Sequence, residues 1–233
     1  MAGVATTMTT IACIGSGLIG GTVARLAVAA GYDVVVSNSR GPETLAGLVE
    51  ELGPKARAAT AAEAAAAGDL VLVSVPLRAY REVPVEPLVG KTVMDTNNYY
   101  SERDGRFAEL EEGSATSSEL LQRHLPQARV VKVFNNIYYA HLLGLARPAG
   151  SADRSALPIA GDDASAKAEV TGFLDAIGYD ALDAGTLADS WRFEPGTPAY
   201  GVPYVGDVAD FQNSPGNPAG TAAIDDAVAA AKR

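Results

Sequence analysis

The chain has 233 residues, of which 48% are hydrophobic and 20% are charged, and its formal net charge is −10. This acidic balance argues against a nucleic acid or an anionic membrane as partner, and no run of 18 apolar residues predicts a membrane span. The single cysteine, Cys13, excludes an internal disulfide and favours a reducing compartment, so we expect a cytoplasmic protein. The first ten residues lack the Lys and Arg of a signal peptide and predict a disordered tail.

Residues 11–30 predict a buried strand, a sharp glycine turn and an amphipathic helix. In this G-x-G-x-x-G pattern Gly15 permits the turn, Gly17 allows a pyrophosphate close to the backbone, and Gly20 lets the helix pack on the strand. The free N–H groups at the start of such a helix face an anion. A purely structural glycine-rich turn is the alternative. Because strand, turn and helix occur together, we predict a dinucleotide-binding site.

Four polar residues follow the second predicted strand, residues 32–36, and they bear on the choice of nucleotide. They are Ser37, Asn38, Ser39 and Arg40. An NAD enzyme places Asp or Glu at this point to bind the ribose 2′-hydroxyl. Two hydroxyls, an amide and a guanidinium suit a 2′-phosphate instead, so the sequence predicts NADP(H). The alternative for Arg40 is a solvated residue at a helix start.

The remaining chain alternates strands with helices. Strands are predicted at residues 56–59, 69–75, 91–95, 128–134, 157–160 and 179–182, helices at 41–52, 60–67, 118–125, 164–177 and 221–232, and loops at 101–117 and 206–220. This alternation predicts an α/β protein with a doubly wound, mostly parallel sheet, the Rossmann fold. Residues 9–150 would form the dinucleotide-binding domain, and residues 151–233 a small C-terminal extension that completes the sheet.

Polar and aromatic residues follow the strands that end near residues 36, 75, 95 and 134. In a doubly wound sheet ligands bind outside the carboxyl ends of the strands, so we expect these tails to converge on one crevice. The candidate residues there are Val75, Pro76, Leu77, Asn98, Asn135, Ile137 and Tyr138.

Candidate acids, bases and nucleophiles are scarce. His124 is predicted to be a surface residue, and His141 to have a packing role, although it could face the crevice. No Ser/His/Asp or Cys/His arrangement can be assembled, and we predict neither a metal site nor a catalytic side chain. Hydride transfer from a nicotinamide needs positioning more than it needs an acid or a base.

The segments GSGLIG, SNSR, VPL, MDTNNYY, VFNNI, PIAGDD and EPGTPAY together resemble those of the NADPH:coenzyme F420 oxidoreductases. The actinobacterial branch is the most similar, and the reductase domain of the STEAP metalloreductases is more distantly so, over about residues 11–200. The resemblance implies hydride transfer between NADP(H) and coenzyme F420, a deazaflavin. We expect small-molecule redox cofactors as partners, neither nucleic acid nor a membrane, and a homodimer.

The resemblance also implies roles for particular residues. Gly15, Ser16, Gly17, Leu18 and Ile19 would hold the pyrophosphate, Ser37, Ser39 and Arg40 the 2′-phosphate, and Val75 and Pro76 would flank the nicotinamide ribose. The deazaflavin would stack on the nicotinamide between residues 135–140 and 194–200. Archaeal members carry histidine where this chain has Asn135, whereas the STEAP-like branch has asparagine. Asparagine forms hydrogen bonds but does not titrate near neutral pH, so a flavin, a ferric chelate or a small carbonyl stays open as acceptor.

Two other classes of protein stay open. A β-hydroxyacid dehydrogenase shares this N-terminal half and uses a catalytic lysine, for which Lys132 is the candidate. Those enzymes append a long helical domain, and the sequence after residue 134 is too short and too rich in strands for one, so we expect Lys132 to be an ordinary strand residue. The other alternative is a non-enzymatic module that senses NADP(H).

Overall fold

The computed structural model describes residues 9–206 and 213–233. The predicted N-terminal tail, except for its last two residues, and part of the predicted loop at 206–220 lie outside the described residues. The strands are β1 (Thr10–Ile14), β2 (Asp33–Ser37), β3 (Ala56–Ala58), β4 (Leu70–Val73), β5 (Thr92–Asp95), β6 (Arg129–Lys132), β7 (Ala156–Gly161) and β8 (Asp180–Asp183).

Helices connect these strands. The α-helices are α1 (Leu18–Ala29), α2 (Ala46–Leu52), α3 (Ala61–Ala67), α4 (Ser101–Asp104), α5 (Ala108–Glu111), α6 (Ser117–His124), α7 (Tyr139–Gly144), α8 (Ala164–Ala176) and α9 (Thr221–Ala229). Short 3-10 helices occupy Pro42–Leu45, Leu77–Glu82, Glu86–Leu88, Leu187–Phe193 and Val202–Tyr204. In the part of the chain that the structure describes, no helix is long and apolar enough to cross a bilayer.

All eight strands form one sheet in the order β3-β2-β1-β4-β5-β6-β7-β8. Strands β1 to β6 are mutually parallel, in the strand order of a dinucleotide-binding fold. Strand β7 runs antiparallel to β6, with Lys132 opposite Ala160, and β8 is parallel to β7. The predicted doubly wound, mostly parallel α/β fold is therefore confirmed.

The hydrophobic core lies on both faces of the sheet, which explains the uninterrupted apolar strands. Every residue of β4 and β5 is buried, as expected where helices cover both faces of a parallel sheet. One face packs against α1, α7 and α8 through side chains such as Val23, Leu142 and Phe173. The opposite face packs against α3 and α6 through side chains such as Ala64 and Leu121.

Local capping signals set several helix starts. The Thr60 hydroxyl accepts the N–H of Glu63, whose carboxylate accepts the N–H of Thr60, so the predicted capping box of α3 is confirmed. Thr116 and Glu119 form the same motif at the start of α6. The backbone N–H groups at these helix starts thus gain acceptors from within four residues of chain.

The prediction of a loop over residues 101–117 is wrong in part, because it contains the one-turn helices α4 and α5. The Asp104 carboxylate holds the first of them by accepting the N–H groups of Tyr100 (3.0 Å) and of Arg78 (3.4 Å). Arg78 lies 26 residues earlier in the chain. The sequence could not predict these helices for two reasons. A contact between residues so far apart in the chain leaves no periodic signal, and a one-turn helix is too short to show hydrophobic periodicity.

The glycine turn between β1 and α1 is a backbone-on-backbone contact. Gly15 has φ +95°, and a Cβ atom there would lie 2.1 Å from the Ser74 carbonyl oxygen. A Cβ on Gly20 would lie 2.0 Å from the Gly15 carbonyl oxygen, whereas no atom lies within 4 Å of one on Gly17. Gly15 and Gly20 are therefore required for the packing of α1, and Gly17 leaves open space.

We expect Gly20→Ala to lower the free energy of unfolding by about 1–3 kcal/mol or more, because the added methyl group forces two backbone segments apart. Gly172→Ala is the matched control, since Gly172 is exposed within α8 and no atom lies within 4 Å of a Cβ placed on it. That control should gain about 0.5–1 kcal/mol from reduced backbone entropy. Urea unfolding followed by circular dichroism measures both, and equal effects would contradict the close packing at Gly20.

Candidate functional site

Two of the cavities at the edge of the sheet where β1, β2, β4, β5 and β6 end are lined by predicted site residues. One, here called the basic cavity, has a volume of about 500 Å³ and is bordered by Arg40 and Arg78. The other, the tyrosine cavity, has a volume of about 420 Å³ and is bordered by Tyr100, Tyr138, Tyr139 and Tyr200. The two share the residues Gly17, Ser74, Val75 and Pro76. They are therefore the two arms of one cleft that bends over the glycine turn.

The start of α1 points an uncompensated positive dipole at the place where the two cavities meet. Gly17 is its N-cap residue and gives no side-chain cap, and no acidic residue lies in the first turn. The first intrahelical hydrogen bond is from the Gly21 N–H to the Gly17 carbonyl (2.8 Å), so the N–H groups of Leu18, Ile19 and Gly20 precede it. Such a helix start attracts an anion.

The basic cavity carries an available guanidinium. Ser39 and Arg40 are exposed, and the Asn38 side-chain oxygen accepts the Arg40 N–H at 3.0 Å, which holds the turn after β2. Among the described residues, the Arg40 guanidinium forms no ion pair and no hydrogen bond. Arg78, which also borders this cavity, donates to the Arg103 carbonyl oxygen at 2.8 Å. Glu82 is the one carboxylate in the described lining of this cavity.

Two predicted site residues do not present their side chains to the cleft. The Ser37 hydroxyl is buried and donates to the Cys13 carbonyl oxygen at 2.9 Å. The Ser37 carbonyl oxygen instead accepts the Gly15 N–H (3.0 Å) and the Ser16 hydroxyl (2.9 Å), so this residue fixes the glycine turn. Leu77 is fully buried, packs in the core beneath the Leu77–Glu82 turn and borders neither cavity.

The tyrosine cavity is walled by aromatic rings. The Tyr100 and Tyr200 hydroxyls form a hydrogen bond across it, and the ring centroids of Tyr138 and Tyr139 are 4.6 Å apart. The Arg103 guanidinium carbon lies 4.8 Å from the Tyr100 ring centroid. Phe134 borders this cavity in the left-handed region, with φ +65°. Backbone strain of this kind in a non-glycine residue tends to occur at functional sites.

Two of the tyrosines that border the tyrosine cavity have a raised pKa. Burial raises the pKa of Tyr200, and its hydrogen bond to Tyr100 raises the pKa further. A hydrogen bond with Tyr139 raises the pKa of Tyr138, so both phenols stay protonated. In the described lining there is no Asp, Glu, His, Lys or Cys. The one cation, Arg103, pairs with both oxygens of Asp104.

Asn135 links three segments around the tyrosine cavity. Its side-chain nitrogen donates to the Asn98 side-chain oxygen (3.1 Å) and to the Phe193 carbonyl oxygen (2.9 Å). The Asn98 side-chain nitrogen in turn donates to the Asn135 carbonyl oxygen at 2.8 Å. Both partners of this Asn135 nitrogen are acceptor oxygens, so the hydrogen-bond network determines which side of the Asn135 amide carries the NH2 group. One amide nitrogen donates twice here, whereas each imidazole nitrogen can donate only once, so a histidine could not make both bonds from one atom.

The structure brings the other predicted residues of this edge together, and it adds several. Val75, Pro76, Asn98, Asn135, Ile137 and Tyr138 all border the tyrosine cavity. Tyr200, within the segment 194–200 expected to bound the acceptor, borders it too, whereas the predicted site set omitted Ser74, Arg78, Tyr100 and Arg103. Tyr100 ends the polar tail after β5 and could have been added on that signal. Arg78 and Arg103 had no sequence signal, because a contact between two turns brings them to the cleft.

Lys132 does not fit the role of a catalytic lysine. Its side chain is fully buried and borders neither cavity. Its ammonium donates to the Ser117 hydroxyl (2.6 Å) and the Asn97 carbonyl oxygen (2.8 Å), and lies 3.1 Å from the Glu194 carboxylate. These contacts use all three donors of the ammonium, so the lysine of a β-hydroxyacid dehydrogenase has no counterpart in this residue.

The two histidines lie outside the cleft. His141 is buried, with Nε2 3.0 Å from the Ser214 carbonyl oxygen and its ring against Tyr138, as expected for a packing role. His124 is half-buried, rather than on the surface, and its Nε2 lies 2.8 Å from the Val83 carbonyl oxygen. The described residues contain no cluster of three or more His, Cys, Asp or Glu side chains that could hold a metal ion.

Comparison with known proteins agrees with this geometry. Residues 10–99 match the family model described as NADP oxidoreductase, coenzyme F420-dependent. The metalloreductase STEAP3 of Rattus norvegicus is 30% identical over 188 residues, which is 79% of this chain and 35% of that protein. The chain thus spans about a third of the length of this relative. The resemblance predicted from the sequence motifs is confirmed by both findings.

Solved structures share the fold over most of the chain. A hypothetical protein from Sinorhizobium meliloti has a TM-score of 0.73 and 28% identity, covering 85% of this chain and 96% of that chain. A proposed F420-dependent NADP reductase from Arthrobacter sp. FB24 has a TM-score of 0.67 and 28% identity, covering 78% and 87%. An imine reductase from Pseudomonas sp., at 18% identity and a TM-score of 0.56, covers 78% and 57% and shows the fold alone. Together with the matched family model, these similarities show that the chain has a Rossmann fold and resembles the coenzyme F420-dependent NADP oxidoreductases.

Proposed function

We propose that the chain transfers a hydride between NADP(H) and coenzyme F420. The observation that carries this proposal is the bent cleft itself. A basic arm and a neutral aromatic arm meet at the anion-attracting start of α1. A dinucleotide would lie across the turn, and a flat second ring system would fill the remaining space among the tyrosines.

The residues of the basic cavity fit the nucleotide. The open space at Gly17 and the N–H groups at the start of α1 would receive the pyrophosphate. Arg40 and Ser39, on the turn held by Asn38, would bind the 2′-phosphate, since residues 38–40 carry no carboxylate to repel it. Ser37 would contribute through the glycine turn that it supports. The free guanidinium of Arg40 gives the strongest support for NADP(H) over NAD(H).

The tyrosine cavity fits an acceptor that is a planar ring. Val75, Pro76 and Ile137 would bound the nicotinamide, and Tyr138 and Tyr200 would bound the deazaflavin through their ring faces and edges. When bound, the reduced nicotinamide supplies the hydride, and the deazaflavin ring delocalises the negative charge that it receives. The residues of the chain align the two rings and exclude water, which needs no acid or base.

A second candidate is reduction of another acceptor by NADPH. The similarity to a rat metalloreductase favours a flavin or a ferric chelate as that acceptor. The same fold and the same nucleotide site would serve both reactions. The cytoplasmic location and the homodimer expected from the sequence are part of the proposal for this chain.

We expect Gly17→Val to leave the fold intact and to abolish nucleotide binding. The apo cavity has room for the side chain, but its branches would fill the space of a pyrophosphate oxygen. Circular dichroism and titration of NADPH fluorescence measure the two properties. Gly47→Val is the matched control, because Gly47 is an exposed glycine of α2 with equal space around it that borders neither cavity. Unchanged NADPH affinity in folded Gly17→Val would refute the site.

Arg40→Ala should weaken NADPH binding by about 1.5–3 kcal/mol, the range for a hydrogen bond to a charged group, and should leave NADH binding nearly unchanged. The wild type should bind NADPH about tenfold more tightly than NADH, or more. Arg57→Ala controls for net charge, because Arg57 is exposed on β3 and borders neither cavity. Calorimetry with both nucleotides gives the affinities, and equal wild-type affinities would end the assignment of Arg40.

The reaction is tested with NADPH that carries deuterium at the transferred position. We expect F420 to be reduced and the label to appear in it without exchange with solvent, as measured by mass spectrometry. His141→Ala should cost less than about tenfold in kcat/KM, whereas a general acid or base contributes roughly 10²–10⁴-fold. Loss of the label to water would contradict direct transfer. Turnover of FMN or ferric citrate but not of F420 would favour the second candidate, and no turnover of any acceptor would favour a sensing module.

A further inference from the structure

A buried charge cluster lies behind the tyrosine cavity, at the carboxyl end of β6. It consists of Lys132, Glu194 and Ser117, which we call the clamp. The Lys132 ammonium lies 3.1 Å from Glu194 Oε1 and donates to Ser117 Oγ at 2.6 Å. The Ser117 hydroxyl donates to Glu194 Oε1, also at 2.6 Å. The lysine side chain is 0% exposed and that of the glutamate 18%, so the three groups form a closed polar triangle inside the protein.

The pKa of Glu194 is lowered although burial opposes its charge. Burial alone would raise the pKa of Glu194, but the charge of Lys132 and hydrogen bonds from Ser117 and Lys132 outweigh it and hold that pKa below its usual value. Nearby Asp95 is the second carboxylate that faces Lys132, and burial raises its pKa. Removal of one partner would leave an uncompensated charge in the interior, which is strongly unfavourable. Glu194 is therefore held firmly against β6.

Glu194 lies near the first end of a segment that forms one wall of the tyrosine cavity. The segment, residues 193–201, carries Tyr200 and Gly201 into that lining. Its far end is fixed by Asn136, whose carbonyl oxygen accepts the Gly201 N–H (2.8 Å) and whose side-chain nitrogen donates to the Ala199 carbonyl oxygen (2.9 Å). Lys132 and Asn136 lie on one short stretch at the end of β6, so residues 132–136 hold the segment at both ends.

Among the described residues, no contact of Lys132 or Glu194 gives either side chain a direct role in the reaction. All three donors of the Lys132 ammonium have oxygen partners within the protein, and neither Lys132 nor Glu194 borders either arm of the cleft. The residues that border the basic cavity lie at the ends of β1 and β2, at the start of α3 and in the segments that follow β1, β2 and β4, and none of them belongs to residues 193–201. Displacement of the segment would therefore move the Tyr200 wall and leave the nucleotide arm in place.

We propose that Lys132 and Glu194 are positioning residues: their buried ion pair fixes residues 193–201 and thereby sets the shape of the site for the second substrate, separately from the nucleotide site. The inference rests on the proposed function only in taking the tyrosine cavity as the acceptor site. It does not depend on which planar acceptor binds there.

The test compares Glu194→Gln with the wild type at a temperature where both are folded. The amide keeps an oxygen for Ser117 but loses the charge that compensates Lys132. We expect the KM for F420 to rise about tenfold or more, equivalent to ~1.4 kcal/mol of binding. The NADPH Kd should change by less than about twofold and kcat should fall less than KM rises, as expected when binding of one substrate is lost. Glu194→Asp, which keeps the charge, should recover part of the loss.

Trp191 gives a readout that needs no turnover. It is the single tryptophan of the chain and lies three residues before Glu194, on the Leu187–Phe193 helix that leads into the wall. Acrylamide quenching of its fluorescence should increase in Glu194→Gln. Lys167→Met is the matched control, because Lys167 pairs with Asp183 at 2.7 Å and borders neither cavity. That variant should change neither the quenching nor either substrate constant.

The results separate this inference from the proposed function. If the wild type does not reduce F420, the proposed function fails, and the quenching of Trp191 together with the NADPH Kd still decides the inference. Unchanged quenching and unchanged acceptor KM in folded Glu194→Gln would overturn it, as would equal losses of NADPH and acceptor binding. If Glu194→Gln does not fold, the double variant Lys132→Met/Glu194→Gln removes both charges of the ion pair and leaves neither uncompensated. A folded double variant with wild-type KM for F420 and wild-type quenching would then overturn the inference.

Discussion

The close contact between the end of β1, the start of α1 and the end of β4 is the constraint on which the rest of the site depends. At Gly15 and Gly20 there is no room for a Cβ atom, because carbonyl oxygens of Ser74 and of Gly15 itself occupy the space. This contact brings the helix start to the edge of the sheet with its N–H groups directed outward. The same contact places Gly17, Val75 and Pro76 where the two arms of the cleft join.

The distribution of charge explains how an acidic protein can offer a site to an anionic nucleotide. The chain carries a net charge of −10, yet Arg40, on the turn after β2, has no ion-pair partner among the described residues, and Arg78 borders the same cavity. Most other arginines near the cleft are neutralised, such as Arg25 by Glu51 and Arg103 by Asp104. Among the described residues, the guanidinium groups without an ion-pair partner thus border the basic arm, whereas the one cation that borders the tyrosine arm is paired with Asp104. A site divided in this way suits one anionic ligand and one planar ring.

The C-terminal part of the chain completes the tyrosine arm after the strand direction in the sheet reverses between β6 and β7. Strand β7 is antiparallel to β6 and β8 is parallel to β7, so the chain must return to the carboxyl edge through the Leu187–Phe193 helix before residues 193–201 can reach the cleft. That return brings Phe193 to Asn135 and Glu194 to Lys132. A buried ion pair is weak evidence for stability, because desolvation offsets the attraction, but it demands one geometry. The specific role proposed for Lys132 and Glu194 follows from this demand.

The sequence by itself determined the strand, turn and helix around Gly15 to Gly20, the capping box of α3, the order of strands and helices, and the absence of a carboxylate after β2. These features depend on neighbours in the chain, through side-chain periodicity, turn chemistry and capping, which a sequence shows directly.

Only the tertiary structure decided that the Ser37 hydroxyl turns inward, that Leu77 is a core residue, and that α4 forms around Asp104. It also decided the burial of Lys132 and the orientation of Asn135, because their partners are far away in the chain: Phe193 is 58 residues from Asn135, and Glu194 is 77 residues from Ser117. Contacts over such separations depend on how the sheet and its return segment pack, and packing has no period that a sequence can display.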